Sequence, residues 1–165
     1  MQHVVLPAWV AGRRPFRTLW RAALLGLLTY ALCTYVVRPV RVRGVSMEPT
    51  LADHSLHLAN LLRHVRKAPD RGDVVLIAMA GRRSYYVKRI LASPGETIHL
   101  RQGELRINGK VVPEPYLAER GAWDMPELIL GPEQYFVAGD NRTMPLADHL
   151  AGVVHRDRIA GGLIF

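Results

Sequence analysis

The feature that most constrains this chain is a run of 16 uncharged residues at positions 22–37, AALLGLLTYALCTYVV, bounded by Arg21 and Arg38. As an α-helix it would be about 24 Å long, slightly shorter than the roughly 30 Å hydrocarbon layer of a bilayer. Arg21 can extend its stem toward the membrane surface while Leu19 and Trp20 lie in the interface, so a slightly thinned bilayer would accommodate the run. The pattern predicts one transmembrane anchor at 22–37. A cleaved secretory signal and a buried core helix are the alternatives.

The distribution of charge also favours a membrane surface. Residues 1–47 contain seven arginines and no acidic residue, whereas residues 48–165 contain 15 lysines and arginines and 14 acidic residues. Nearly all of the formal net charge of +8 therefore lies around the apolar run, whereas a nucleic-acid groove would need this charge in the folded domain. This argues against nucleic acid as a partner and for anionic lipid headgroups. We interpret residues 1–21 as a basic cytoplasmic segment, although four arginines before the run and three after it give only a small bias.

Beyond the apolar run, the periodicity changes from helical to strand-like. Residues 40–43, VRVR, alternate with the period of two that is typical of a half-buried strand. Residues 73–80 form a short apolar run suited to a strand covered on both faces. Residues 96–112, ETIHLRQGELRINGKVV, indicate successive short strands with a hairpin turn at Asn108-Gly109. The sequence predicts a mostly β, antiparallel domain at 38–165, of a size that supports one core.

A serine and a lysine form a candidate catalytic pair. Ser46 lies in a predicted turn shortly after the apolar run, and Lys88 shares one face of the predicted strand SYYVKRIL with Tyr86 and Ile90. A lysine between aromatic and aliphatic neighbours is easily desolvated, and a neutral amine can deprotonate a serine hydroxyl. The spacing alone favours the simpler interpretation that Ser46 is an ordinary turn residue and Lys88 a solvated lysine of an edge strand.

Six stretches in order along the chain change that balance. They are GVSMEPTL at 44–51, RGDVVLI at 71–77, YYVKRILASPGE at 85–96, LRINGKVVPEPYL at 105–117, YFVAGDNR at 135–142 and GVVHRDRIAG at 152–161. Together with the N-terminal run, they resemble the bacterial type I signal peptidase family of membrane-anchored serine proteases. The resemblance implies an antiparallel β-sheet catalytic domain of signal-peptidase type. It also implies cleavage of N-terminal signal peptides from exported preproteins after small-x-small sites.

The resemblance further implies roles for individual residues. Ser46 is the expected nucleophile, with its backbone N–H in the oxyanion hole, and Lys88 is the expected general base. Four residues match positions that line pockets for small substrate side chains: Met47, Leu51, Tyr86 and Val87. Arg89 and Asp140 match a structural salt bridge beside the site. The implied chemistry uses no cofactor and no metal.

Partners and location are expected from the anchor and the resemblance together. The expected partners are the signal peptides of secreted preproteins, membrane lipid and the secretion machinery. The expected location is the cell inner (cytoplasmic) membrane, as a single-pass protein with residues 38–165 on the extracytoplasmic side.

The chain departs from the family pattern in two places. Many relatives carry a hydroxyl residue two positions before the nucleophile, where this chain has Gly44. After GDNR the family carries a serine that orients the lysine, then an aspartate and an arginine. Counted without gaps, these three positions hold Pro145, Ala147 and His149. Asp148 is one place away from the aspartate position. The candidates that would orient Lys88 instead are Ser84, Thr143, Asp148 and His149.

Three alternative functions are compatible with the sequence. His149 would be the base of a Ser–His enzyme, since eukaryotic and archaeal relatives carry histidine where this chain has Lys88. The protein would otherwise be a specialised processing peptidase of one secretion or conjugation system, or a non-catalytic membrane-anchored β scaffold. A metal site is disfavoured, because His54 and His57 would face opposite ways in a strand.

Overall fold

The computed structural model describes residues 15–65, 67–79, 84–149 and 152–165. This part of the chain forms one α-helix, eleven strands and two 3₁₀ turns. The helix is α1, Pro15–Tyr35; the strands are β1 Val37–Arg41, β2 Leu56–Asn60, β3 Val74–Ala78, β4 Tyr85–Ala92, β5 Thr97–Arg101, β6 Glu104–Ile107, β7 Lys110–Val111, β8 Met125–Ile129, β9 Gln134–Ala138, β10 Gly152–His155 and β11 Ile159–Ile164; the 3₁₀ turns are Leu146–Asp148 and Arg156–Arg158. The predicted mostly β fold is confirmed.

The helix α1 is shifted relative to the predicted span at 22–37. It begins at Pro15 and ends at Tyr35, and Val37 is already the first residue of β1. The helix therefore ends two residues before Val37, the last residue of the predicted span, because β-branched residues followed by an Arg-Pro step favour extended backbone over helix. Within the described residues, no helix has both the length and the hydropathy needed to cross a membrane, so the predicted anchor is not confirmed. Residues 1–14 of the predicted basic segment lie outside the described residues.

The larger sheet contains seven strands in the order β1-β2-β11-β3-β4-β9-β10, and every neighbouring pair is antiparallel. At its centre, residues 74–77 of β3 are all buried, as the apolar run at 73–80 predicts. β1 forms one edge and carries Pro39, which cannot donate a ladder hydrogen bond and is tolerated at an edge. This edge strand leads directly into the loop that contains Ser46.

The smaller sheet contains four antiparallel strands in the order β7-β6-β5-β8. Two-residue turns join its consecutive strands: Gln102-Gly103 between β5 and β6, and Asn108-Gly109 between β6 and β7. Asn108 and Gly109 have φ values of 51° and 75°. Positive φ at both central positions is the requirement of a type I′ turn, which matches the twist of the strands. The predicted hairpin turn is confirmed.

The strand β4 connects the cores of the two sheets. Its register with β9 shifts between Ile90 and Ala92. As a result, Ile90 packs among residues of β3 and β9, whereas Leu91 and Ala92 pack with side chains of the smaller sheet. A strand that is anchored on both sides in this way holds its side chains in fixed positions. Lys88 lies on this strand.

Candidate active site

The loop between β1 and β2 places Ser46 in an anchored turn. Met47 and Leu51 are 1% and 0% exposed, and the Leu51 N–H donates to the Met47 carbonyl at 2.9 Å. Gly44 has a φ of +93° and donates its N–H to Asp53 Oδ1 at 2.8 Å. A residue with a side chain would be strained at this φ. The turn therefore favours glycine at position 44.

Lys88 reaches this loop from β4. Its Nζ donates a hydrogen bond to Ser46 Oγ at 2.9 Å, and the residue is 3% exposed. Burial lowers the pKa of Lys88 to about 8, while the charge of Asp140 acts in the opposite direction. At that pKa roughly one-tenth of the amine is neutral at pH 7. The structure thus brings the predicted serine and lysine together and gives the lysine the capacity to accept a proton.

The register of the sheet explains why this lysine is buried. Lys88 pairs with Val75, and Tyr86 pairs with Ile77 on the neighbouring strand β3. Val75, Ile77 and Ile90 belong to one buried cluster, with Tyr86 packed against it. This arrangement agrees with the alternation in the sequence, which placed Lys88, Tyr86 and Ile90 on one face. Apolar neighbours desolvate the amine and so disfavour the ammonium form.

A cleft of about 480 Å³ opens beside the pair. Its walls are residues 40–43 together with the Ser46 turn on one side, and residues 84–88 on the other. Three of the four predicted substrate-contacting residues line it: Met47, Tyr86 and Val87. The fourth, Leu51, is fully buried in the core cluster that contains Met47 and Val87. Leu51 therefore supports the cleft wall without facing the cleft.

Arg89 and Asp140 form a buried ion pair next to the cleft. Arg89 Nε and Nη2 donate to the two Asp140 carboxylate oxygens at 2.8 and 2.6 Å, and the residues are 9% and 1% exposed. Thr50 Oγ1 donates to Asp140 Oδ2 at 2.5 Å, and the Arg89 guanidinium lies 3.9 Å from the ring centroid of Tyr116. The predicted salt bridge is thus present, and it connects β4 and the end of β9 to the loop of the serine.

The turn after β9 holds the Ser46 loop directly. The Asn141 N–H donates to the Ser46 carbonyl at 3.1 Å, and the Asn141 side-chain amide donates to the Val45 carbonyl at 3.2 Å. The sequence alone predicts no role for Asn141. The signal that could have identified this residue is the GDNR stretch, in which the resemblance implies a role for Asp140 only.

Arg142, also unassigned from the sequence, fixes the same turn from inside the domain. It is 1% exposed, and its Nε donates to the Gly139 carbonyl at 2.9 Å. Its Nη2 donates to Glu114 Oε1 at 2.5 Å, and its guanidinium lies 5.1 Å from the ring centroid of Trp123. A buried arginine with both a carboxylate and a carbonyl acceptor is a rigid support.

Residues 143–149, the described part of the segment that follows GDNR, provide no hydrogen-bond partner for the lysine. Pro145, Ala147 and Asp148 are exposed, and Thr143, also exposed, donates to Asn141 Oδ1. Ser84 lines the cleft. Within the described part of the chain, none of the four predicted orienting residues forms a hydrogen bond with Lys88 Nζ, whose partner is Ser46 Oγ.

His149 is the buried residue of that segment, at 1% exposure. Its Nδ1 accepts the Gly139 N–H at 3.1 Å, so Nε2 carries the ring proton and donates to the Asn141 carbonyl at 2.7 Å. Burial, and secondarily the nearby Lys88 charge, lowers the pKa of His149 to about 4. Because both ring nitrogens are bonded to the backbone, the imidazole has no lone pair free for Ser46. This geometry argues against the Ser–His alternative.

An antiparallel β domain that holds a buried lysine against a loop serine has the layout of a serine hydrolase with lysine in the place of histidine. Comparison with known proteins narrows this class. The family "Signal peptidase, peptidase S26" matches residues 16–165. The chain is 34% identical over 152 residues to signal peptidase I of Bacillus licheniformis, which covers 85% of this chain and 80% of that protein.

Two further comparisons agree. The chain is 27% identical over 161 residues to signal peptidase IB of Staphylococcus aureus strain N315, covering 87% of this chain and 84% of that protein. A crystal structure of a signal peptidase I from Enterococcus faecalis V583 is 29% identical, with a TM-score of 0.50, over 59% of this chain and 98% of that one. The chain therefore belongs to the signal peptidase family S26 and is a serine peptidase of the signal peptidase I type. The resemblance seen in the sequence is confirmed.

Proposed function

We propose that this protein removes N-terminal signal peptides from exported preproteins, with Ser46 as nucleophile and Lys88 as general base. The observation that carries the proposal is the 2.9 Å contact between Lys88 Nζ and Ser46 Oγ at a lysine that is 3% exposed. A solvated lysine at neutral pH would be almost entirely protonated and could not act as a base. The family supplies the substrate class, and the contact supports the chemistry.

In the first half of the reaction, the neutral Lys88 amine accepts the Ser46 hydroxyl proton as Oγ attacks the scissile carbonyl. The Ser46 backbone N–H stabilises the oxyanion of the tetrahedral intermediate. The intermediate collapses with cleavage of the C–N bond, and the departing amine of the mature protein takes the proton from the Lys88 ammonium. The signal peptide is left as an ester on Ser46.

In the second half, a water molecule gives its proton to Lys88 and its oxygen attacks the ester carbonyl. Collapse of the second tetrahedral intermediate breaks the bond to Ser46 Oγ, which recovers its proton from Lys88. The products are the signal peptide, whose new carboxyl group releases its proton to solvent, and the unmodified enzyme. The protons that move to and from Ser46 pass through one amine, and no cofactor takes part.

The cleft supports the choice of an extended substrate. A peptide that lies between residues 40–43 and residues 84–88 would add a strand and leave alternate side chains facing the protein. Met47, Tyr86 and Val87 narrow the cleft beside Ser46, which favours small side chains at the residue before the cut and two residues earlier. Leu51, from within the core, holds Met47 and Val87 in place. Small-x-small sites are the sequences this arrangement accommodates best.

The helix α1 supports the proposal that the enzyme works at a membrane. Every side chain from 16 to 30 is exposed, including Leu24, Leu25 and Leu28 at 54%, 64% and 56%. An apolar helix surface of this kind requires lipid or another protein to cover it. We propose that α1 holds the chain at the inner (cytoplasmic) membrane with the β domain on the extracytoplasmic side, where it meets the secretion machinery. Extraction of the full chain from membranes by detergent but not by alkaline carbonate would support integral anchoring; release by carbonate would contradict it.

A cleavage assay tests the chemistry. Wild type, Ser46→Ala and Lys88→Ala would be incubated in detergent with purified preproteins, and the products would be identified by mass spectrometry. We expect cleavage after small-x-small sites by the wild type only. Substantial cleavage by Lys88→Ala would reject the dyad, and the absence of any acyl-Ser46 adduct with a reactive substrate analogue would support the scaffold alternative. A panel of unrelated preproteins would separate a general peptidase from a specialised one.

A further inference from the structure

By a gap-free count, the position that the family pattern assigns to a lysine-orienting serine is an exposed proline here, Pro145. Among the described residues of the same segment, the buried polar residue is His149, and its ring forms no hydrogen bond with Ser46 or Lys88. Its ring instead holds the backbone turn at residues 139–141, which packs against Ser46. The relative positions of Ser46 and Lys88 must therefore be maintained by contacts other than a hydrogen bond from this segment to the lysine.

Both ring nitrogens of His149 bind this turn. Nδ1 accepts the N–H at its start, from Gly139, and Nε2 donates to the carbonyl at its end, on Asn141, at 3.1 and 2.7 Å. Trp123 fixes the ring from the side, edge-on, with 4.7 Å between the ring centroids. The Trp123 Nε1–H is itself held by the Met144 carbonyl at 2.7 Å. The imidazole thus clamps three consecutive residues of backbone.

The clamped turn touches the nucleophile. Gly139 is so closely packed that an added Cβ would overlap both the Ser46 carbonyl oxygen and His149 Cε1. On the other side of the turn, the Asn141 N–H donates to that same Ser46 carbonyl. The chain of contacts therefore runs from Trp123 through His149 and Gly139 to the backbone of Ser46. A displacement of the imidazole would move the backbone of Ser46, and with it the Oγ atom and the proposed oxyanion N–H.

The clamp requires a neutral imidazole. The neutral state of His149 is favoured by burial and by the charges of Lys88 and Arg142, and is opposed by Asp140 and the Asn141 carbonyl. A neutral ring can accept at one nitrogen and donate at the other, whereas an imidazolium could only donate.

We propose that His149 is a positioning residue, whose imidazole clamps the 139–141 turn against Ser46. The proposal rests on the proposed Ser46–Lys88 chemistry and assigns His149 no proton transfer. A ring with two backbone partners supports the site where position 145 offers no hydroxyl.

Two substitutions separate hydrogen bonding from space filling. His149→Phe keeps a ring against Trp123 but loses both backbone bonds, whereas His149→Asn retains an acceptor near the position of Nδ1 for the Gly139 N–H. We expect kcat on a soluble signal-peptide substrate to fall roughly 100-fold in His149→Phe, the loss expected for a displacement of about 1 Å, with KM within about threefold. His149→Asn should recover at least about tenfold of that loss. Equal kcat values for wild type and His149→Phe would overturn the proposal, as would a loss confined to KM.

The pH dependence of kcat/KM distinguishes positioning from proton transfer. His149→Phe, His149→Asn and His149→Ala should lower kcat/KM to different extents but keep a rising limb near that of the wild type, at about pH 8, because Lys88 remains the base. If His149 were the base, all three variants would lose cleavage to background and no lysine limb would remain, which would overturn the proposal.

Amide hydrogen exchange gives a readout that is independent of activity. Measured in a Ser46→Ala background, His149→Phe should speed exchange of the 139 and 141 amides by roughly tenfold or more, with the amides of β3 unchanged. Unchanged exchange at 139 and 141 would overturn the clamp. Faster exchange throughout the domain, including the β3 amides, would show that His149→Phe unfolds globally. The exchange rates of the 139 and 141 amides in His149→Asn would then test the clamp. If the wild type failed to cleave any preprotein, the proposed function would fail while the exchange result still tested the clamp.

Discussion

Lys88 and Arg89 are consecutive buried residues on β4, and the two cationic side chains have very different partners. Arg89 has a carboxylate, a carbonyl and an aromatic face around its guanidinium. Lys88 has one neutral hydroxyl, Ser46 Oγ, as its hydrogen-bond partner in the described structure. Because neighbouring side chains of a strand point to opposite faces, two residues one position apart can lie in such different surroundings.

The difference shows how one strand can hold both a supporting cation and the proposed base. A paired guanidinium stays charged and fixes geometry, since arginine does not lose its proton in proteins. An unpaired buried ammonium is unfavourable, so the pKa of Lys88 falls until the amine can act as a base. Asp140 is the group that connects the two residues: it neutralises Arg89 and, at longer range, raises the pKa of Lys88.

The largest expected effect comes from removing the amine and keeping its volume. Lys88→Met should lower kcat on a preprotein by roughly 1,000-fold or more, as expected for loss of a general base. The free energy of unfolding should not fall, and should rise by up to about 3 kcal/mol, because a desolvated amine is replaced by an apolar group. A discontinuous cleavage assay measures kcat, and urea unfolding measures the free energy of unfolding.

The control for that substitution is Lys110→Met, on the exposed strand β7. It should leave both kcat and stability within experimental error of the wild type. Near-normal turnover by Lys88→Met would contradict the role of Lys88 as base and would leave no functional difference between Lys88 and Arg89.

The next effect concerns the paired cation. Asp140→Asn removes the charge that balances Arg89 and should lower the free energy of unfolding by about 3 kcal/mol or more, the usual cost of breaking a buried pair. The matched control is Asp148→Asn, an exposed residue that should be nearly neutral in stability. Near-normal turnover in Asp148→Asn would also exclude Asp148 as an orienting residue. Equal stability of the two variants would show that the buried ion pair contributes little.

Much of this fold was predictable because its signals are local. Alternation at 40–43 indicated part of the edge strand β1, the Asn108-Gly109 dipeptide indicated a two-residue hairpin turn, and the run at 73–80 indicated the central strand. The ends of α1 were not predictable from an uncharged run, because a helix extends through Arg17 and Arg21 at no great cost when their side chains are exposed. The end of a helix also depends on the next element of the chain, which here is the strand that starts at Val37.

The site was predictable only in part, because its contacts join distant positions. Strand periodicity indicated that Lys88 faces apolar neighbours, and the resemblance named Ser46. No local pattern could show that Asn141 donates to the carbonyl of Val45, 96 positions away. The gap-free count placed His149 at an arginine position and left it as either a base or an orienting residue. The hydrogen-bond partners of His149 are backbone groups, which are common to all residues and so cannot be predicted from residue types.

A smaller effect is expected from pH. If the neutral form of Lys88 is the active species, kcat/KM should rise roughly tenfold between pH 7 and pH 9, since its pKa is about 8. Arg89 stays charged over this range and adds no dependence. A profile that is flat between pH 7 and pH 9 would contradict the assignment of Lys88 as base.

The same pKa shift has a consequence for stability, with a definite sign. Between about pH 8 and 10.5 the unfolded chain holds the Lys88 proton and the folded chain has lost it, so the Lys88 contribution makes the free energy of unfolding rise with pH. Below pH 8 both states are protonated and the full penalty is present. Lys88→Met should lack this contribution, and the difference between wild type and variant isolates it from other groups that titrate there.

The smallest effect concerns the hydroxyl that ties the serine loop to the paired cation. Thr50→Val keeps the shape of the side chain but removes the 2.5 Å hydrogen bond from Oγ1 to Asp140 Oδ2. Because Arg89 still neutralises Asp140, the free energy of unfolding should fall by only about 1 to 2 kcal/mol, far less than in Asp140→Asn. If Thr50 couples the ion pair to catalysis, kcat should also fall, since Thr50 lies in the loop of Ser46. A stability loss with unchanged kcat would mean that the ion pair supports the fold alone and that the serine is positioned by the 139–141 turn.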